Sequence, residues 1–140
     1  LFDYNFYCNK KLIEGCNRLE YVPEKSIALF SHILNTHHIW NSRMLAKKRE
    51  LDVFQIHTPT DWEAIHYDNQ RNTFDIITHI DRFEKRFDYE TTEGMPYSNT
   101  AQEMLFHIIN HSTHHRAQIS VDFRNNGIQP LALDYIYYKR

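Results

Sequence analysis

Turn-forming residues are scarce in this chain: three glycines and four prolines in 140 residues. That is well below average usage and excludes collagen-like, linker-rich and turn-rich all-β designs. Cysteine is nearly absent, with only Cys8 and Cys16. On one helix these two would lie roughly 12 Å apart along the axis, too far for a disulfide. No apolar run approaches the ~18 residues of a membrane span. Neither sign of charge dominates: 16 Lys and Arg stand against 18 Asp and Glu, and the longest like-charged run is Lys47-Lys48-Arg49. A nucleic-acid partner calls for a basic face, so neither nucleic acid nor membrane is expected as a partner. Asp3, Lys10 and two asparagines in the first ten residues break any signal-peptide pattern. Leu1 in place of an initiator Met points to a trimmed N-terminus. Thiols that stay reduced, without an export signal, give the expectation of a cytoplasmic protein.

What the chain does have is a core and an excess of histidine. Hydrophobic residues make up 41% and aromatics 14%, enough for a packed interior in one domain spanning residues 1–140. Apolar residues recur at helical spacing in four segments. Phe2, Phe6, Ile13 and Cys16 predict a first helix over residues 2–20. Pro23 suits the first turn of a second helix running to about Lys48, with Leu29, Ile33, Thr36, Trp40 and Met44 as its stripe. Thr60 and Glu63 read as a capping box opening a third helix, whose stripe runs from Trp62 through Ile76 and Phe83 to Phe87. Residues Thr91 to Asn99, with Gly94 and Pro96, read as a loop. Thr100 and Glu103 form a second capping box, and the fourth helix runs through Phe123 to Asn125-Asn126-Gly127, where Gly127 fits the left-handed position that ends it. The segment Asp134 to Tyr138 reads as a short tail helix. With no strand candidate, the expected fold is all-α: a four-helix bundle with a short C-terminal tail helix.

Ten histidines are the unusual number. His111 and His115 are four residues apart, one turn apart on the face that also carries Met104, Ile108 and Ile119. Such a pair can offer two ring nitrogens to one metal ion. Chance alone gives about 0.7 pairs at this spacing, so a third ligand is needed to strengthen the reading. The second helix offers His32, His37 and His38. His32 is the first choice on spacing, His37 the second, and His38 lies on the polar side. His107 and His114 project to the flanks of the fourth helix, and His57, His66 and His79 read as surface or structural residues. The bland reading, in which buried histidines merely bond to carbonyls in the core, stands beside the metal reading.

Ser31-His32-Ile33-Leu34-Asn35 followed by Trp40 resembles the second-helix signature of the DinB/YfiT-like metalloenzymes. Asn110-His111-Ser112-Thr113-His114-His115-Arg116-Ala117-Gln118-Ile119 resembles their fourth-helix signature, N-H-x-x-x-H-R-G-Q-I. The Asp3-Tyr4-Asn5 opening and the Gly127…Pro130…Asp134-Tyr135 ending are also similar. The resemblance implies a four-helix bundle holding a divalent metal (zinc, nickel or iron) on three histidines, here His32, His111 and His115. It also implies cytoplasmic homodimers. Its superfamily includes S-transferases and isomerases that use a low-molecular-weight thiol, so a small-molecule substrate is expected. Ala117 stands where the family carries Gly. Alanine suits a helix, but its methyl would matter if a neighbouring helix or a substrate approached there.

Three neutral histidines leave coordination positions open, the pattern of a catalytic rather than a structural site. The expected function is a metal-dependent transferase or hydrolase acting on a small substrate. The alternative is a metal-binding stress or sensor protein without turnover. Ser112 occupies the place of the Glu in H-E-x-x-H, which disfavours a zincin protease. Asn35, Asn110 and Gln118 are candidates to orient the ligand rings. Asp122, two turns beyond His115, is the candidate for a fourth ligand. Arg116 is the candidate for an anionic group of the substrate, or else for a surface salt bridge.

Overall fold

The computed structural model describes residues 1–140, in the order α1 (Phe2–Asn17), α2 (Glu24–Met44), α3 (Trp62–His79), β1 (Arg86–Glu90), β2 (Pro96–Thr100), α4 (Ala101–Asn125) and α5 (Tyr135–Tyr138). The chain is mostly helical, 60% of its residues, with one small two-stranded sheet. Helix α2 packs on α3 and α4, and α1 closes the ring by contacting the same two helices.

Two apolar clusters fill the ends of this arrangement. One gathers Leu12, Ile13, Phe30, Ile33, Leu34, Trp62, Ile119 and Phe123. The other gathers Met44, Ile76, Met104, Leu105 and Ile108. Between them, every long helix turns polar residues inward: Asn5 and Asn9, His37 and Asn41, Asn69 and Thr73, Ser112 and Arg116, all buried. Buried polar groups need partners. His37 Nε2 lies 2.7 Å from Thr73 Oγ1, which donates to Asn41 Oδ1 at 3.1 Å. Asn41 Nδ2 then donates to the Asn69 carbonyl at 3.1 Å, and Asn69 Nδ2 to the Leu34 carbonyl at 3.1 Å. This chain of bonds stitches α2 to α3.

The helix ends differ from the sequence expectation in instructive ways. Helix α1 ends at Asn17 rather than residue 20, its last turn tightening through Arg18 N–H to Gly15 O and Leu19 N–H to Cys16 O. Helix α2 ends at Met44 rather than near Lys48, because Ala46 takes φ 52° and Lys47 N–H reaches back 2.9 Å to Ser42 O. That is the six-to-one helix stop normally built on glycine, and alanine in its place hides it from a sequence reading. The Thr60–Glu63 capping box does not form. Thr60 Oγ1 sits 3.1 Å from Thr58 Oγ1, and α3 begins after Asp61 with no side-chain cap. The Thr100–Glu103 box forms in both directions, at 3.2 and 2.8 Å. Gly127, at φ +71°, follows the end of α4 as expected.

The largest correction is the hairpin. Helix α3 ends at His79, and residues 86–90 pair antiparallel with 96–100, Arg86 opposite Thr100 and Glu90 opposite Pro96. The period there is two: Phe87 and Tyr89 are half-buried against the Met104 cluster, while Arg86, Asp88 and Glu90 face out. Phe83 and Phe87, spaced like a helical stripe, belong to a turn and a strand. Tail helix α5 docks on α1, with the Tyr4 and Tyr135 rings edge to face at 5.1 Å and Tyr4 Oη donating to Leu133 O at 2.5 Å. Both cysteines are buried free thiols. No helix is long and apolar enough to cross a membrane.

Candidate metal centre

Helices α2 and α4 share the most extensive packing in the chain, and at the edge of that interface they bring His32, His111 and His115 together. Each histidine offers one ligand atom, and the three atoms lie within 4.8 Å of one another. His111 Nε2 is 3.1 Å from His32 Nε2. The His32 ring packs edge-on against both others at 4.8 Å, and His111 against His115 at 4.4 Å. All three are half-buried.

The hydrogen bonds behind the rings fix which nitrogen faces the centre. His32 Nδ1 lies 3.0 Å from Val53 O, a pure acceptor, so the ring donates there and its Nε2 lone pair faces His111. His115 Nδ1 lies 2.6 Å from Gln118 Oε1, which likewise accepts. Gln118, expected to orient a ring, is thus in hydrogen-bond contact with one of the three. Asn35 acts at one remove: its Nδ2 donates to the same Val53 carbonyl at 3.3 Å and to Gln55 O at 2.8 Å, while its Oδ1 lies 2.6 Å from His57 Nε2. Asn35 thus anchors the 53–57 segment that holds His32.

Electrostatics keep the site ready for a cation. Burial, reinforced by His115 and His32, pushes the His111 imidazole down to about 3. Burial also lowers His115, with Gln118 opposing. Neutral rings carry free lone pairs, the form a metal requires. Two nitrogens at ~2.05 Å from one tetrahedral ion stand roughly 3.3 Å apart, close to the His32–His111 separation. The His32–His111 pair therefore has the spacing of two imidazoles on one metal ion.

Other expected residues lie elsewhere. His37, the second choice as third ligand, faces α1 and α3, stacked on Phe6 at 6.1 Å and bonded to Thr73. Asp122 does not close the cluster; it is buried, accepting from Ser26 Oγ at 2.6 Å. Asn110 is exposed and orients no ring. Arg116 makes no surface salt bridge: it is buried and donates to Asn5 and Asn9 of α1. Ala117 is exposed, so no helix approaches its methyl. Ser112 Oγ donates to its own helix at Ile108 O. His38 accepts from Glu50 N–H at 2.9 Å. His107 packs on Trp40 at 5.0 Å. His57 and His66 are buried, while His79 pairs with Asp75 on the surface.

Sequence reasoning missed Phe54, whose ring stacks on His32 at 5.1 Å while remaining 78% exposed. Neither periodicity nor turn chemistry marks the 45–61 connection, so nothing signalled it.

The model of the DinB family matches residues 25–140, which takes in all three clustered histidines. No curated protein matches the chain.

Proposed function

The chain belongs to the DinB family, and from that membership and the three-histidine cluster we propose a divalent-metal-binding protein that acts as a metal-dependent enzyme of the thiol S-transferase or hydrolase type. In this reading residues 1–140 form one domain, a four-helix bundle of the DinB/YfiT-like kind with a tail helix, working as a cytoplasmic homodimer on a small substrate. One observation carries the proposal. His32 and His115 are each held through Nδ1 by an oxygen acceptor, and His32 Nε2 stands 3.1 Å from His111 Nε2. Lone pairs aimed at one point by fixed outer partners are the arrangement that metal ligands require.

A divalent metal with three imidazole ligands supplies a Lewis acid able to activate bound water or a thiol. The protein's own contribution is positional. The Val53 carbonyl and Gln118 hold the two Nδ1 protons, and Phe54 covers one face of His32 from water. No carboxylate joins the cluster, so its ligand set is the three imidazoles.

The test is metal analysis of protein purified without a His-tag or nickel column. One metal per chain is expected. His32→Ala, His111→Ala or His115→Ala should each lose most of it, and His107→Ala or His114→Ala should not. A low-molecular-weight thiol added to cobalt-substituted protein should produce a charge-transfer band. Full metal retention in the three alanine variants would defeat the metal reading. Retained metal with no thiol band would favour the non-catalytic sensor.

A further inference from the structure

Arg116 follows His115 on α4 and so leaves the helix about 100° further round, toward α1 rather than α2. It is 5% exposed. Nη1 donates to Asn5 Oδ1 at 2.7 Å and Asn9 Oδ1 at 2.8 Å, and Nη2 to Thr113 Oγ1 at 3.1 Å. A guanidinium has five N–H groups, and the neutral Tyr4 phenol is a further hydrogen-bond partner, so at least one N–H is left without a protein acceptor. All of these partners are neutral. The ion pairs of the structure lie elsewhere, at Arg49–Asp52, Arg71–Asp68 and His79–Asp75.

The neighbours supply no counter-charge. Burial raises the Cys8 thiol and pushes the Tyr4 phenol up to about 12, so both stay neutral near neutral pH. A buried charge without a counter-ion is costly, and an anion arriving from outside would relieve that cost.

The route in is present. Arg116 lines a groove of about 590 Å³ between α4 and the segment leading to α5. Ala117, Val121 and Leu131 give it apolar walls, and Arg124 and Asp134 are its other charged groups. Two cations against one carboxylate leave one positive charge unmatched. The volume falls in the range of small-molecule sites, which combine apolar walls with a few placed polar groups.

We propose that this groove binds a small organic acid with an apolar body, its carboxylate meeting the Arg116 guanidinium. The site lies on a different face of α4 from His111 and His115 and does not depend on the metal reading. Carboxylate recognition by arginine is charge-assisted and favours two-point contact, so a neutral isostere should not substitute.

The test is titration of benzoate into the full chain, followed by calorimetry and thermal melting, with benzyl alcohol as the neutral isostere. Benzoate should bind saturably and raise Tm; benzyl alcohol should not. Ser120 lines the same groove one turn beyond Arg116, so Ser120→Glu places a carboxylate beside the guanidinium and should weaken benzoate at least roughly tenfold. Ala117→Glu, on the exposed wall, repeats the test should Ser120→Glu not fold. His111→Ala should leave benzoate affinity unchanged. The proposal is overturned by no saturable response up to roughly 10 mM, by an equal response to benzyl alcohol, by full affinity in the folded Glu variants, or by loss of binding in His111→Ala, which would move the ligand to the histidine cluster.

Discussion

His111 Nε2 stands 3.1 Å from His32 Nε2 across the α2–α4 interface. Two lone pairs at that distance repel unless a proton or a cation lies between them. The Val53 carbonyl holds the His32 proton on Nδ1, so His111 is the donor when only protons are available. Gln118 does for His115 what Val53 does for His32, at 2.6 Å. Gln118→Leu removes that acceptor and frees the ring to change tautomer. It should lower metal affinity by roughly 10-fold, the low end for outer partners because Gln118 is exposed. Competition against a chromophoric chelator reads this directly, and unchanged affinity would show that the contact does not orient the ring.

Removing the metal should leave the fold standing. The histidine cluster sits half-buried at the edge of α2 and α4, outside both apolar clusters and the polar layer between them. Chelation should therefore cost only the linkage term, about 2.7 kcal/mol for a metal at 100 times its Kd. Tm should fall and helical circular dichroism at low temperature should persist. Collapse of the helical signal would make the site structural.

Acid should destabilise the metal-free protein through His37 and His66, in addition to the clustered His111. Burial pushes His37 down to about 3, with His66 and His38 adding to it, and pushes His66 down to about 4, with Lys10 adding. Unfolded histidine titrates near ~6.5. Between those values the unfolded chain binds more protons, so stability rises with pH across the window. These groups contribute no pH dependence above ~6.5; stability falls below it, His66 levelling off first and His37 last. Each histidine gives a slope of up to about 1.4 kcal/mol per pH unit. Urea midpoints at about pH 7, 6 and 5 should decline steadily. A flat profile would mean that both rings take up protons as readily when folded.

Sequence patterning made the helices visible because each buries a stripe at the 3.6-residue period. It made the histidine triplet visible because His111 and His115 share one turn and His32 sits beside the apolar row of α2. It failed where the backbone departs from that period. The hairpin was hidden because Phe83 and Phe87 are four apart, a spacing that also suits a turn followed by a strand whose alternate residues face inward. The stop after Met44 was hidden because Ala46 occupies the left-handed region. The burial of Arg116 was hidden because a charged side chain reads as surface. Only the approach of Asn5 and Asn9 from α1 shows that it is taken inside. The Val53 and Phe54 contacts to His32 arise from a connection with no period, so only the folded chain reveals them.

The polar layer offers the sharpest test of packing. Thr73 Oγ1 donates to Asn41 Oδ1, so it can only accept from His37, whose Nε2 must carry the proton. Thr73 is fully buried and His37 is 2% exposed. Thr73→Val keeps the shape and deletes the hydroxyl, leaving a buried donor on His37 and a buried acceptor on Asn41 unpaired. Each orphaned group costs about 1–3 kcal/mol, so the variant should lose about 2–6 kcal/mol in urea unfolding at neutral pH. His37→Leu removes one of the two orphans in advance. In that background Thr73→Val should cost less, with a coupling of about 0.5–3 kcal/mol. Strict additivity of the two substitutions would mean that water reaches the layer and satisfies the groups that Thr73 now joins.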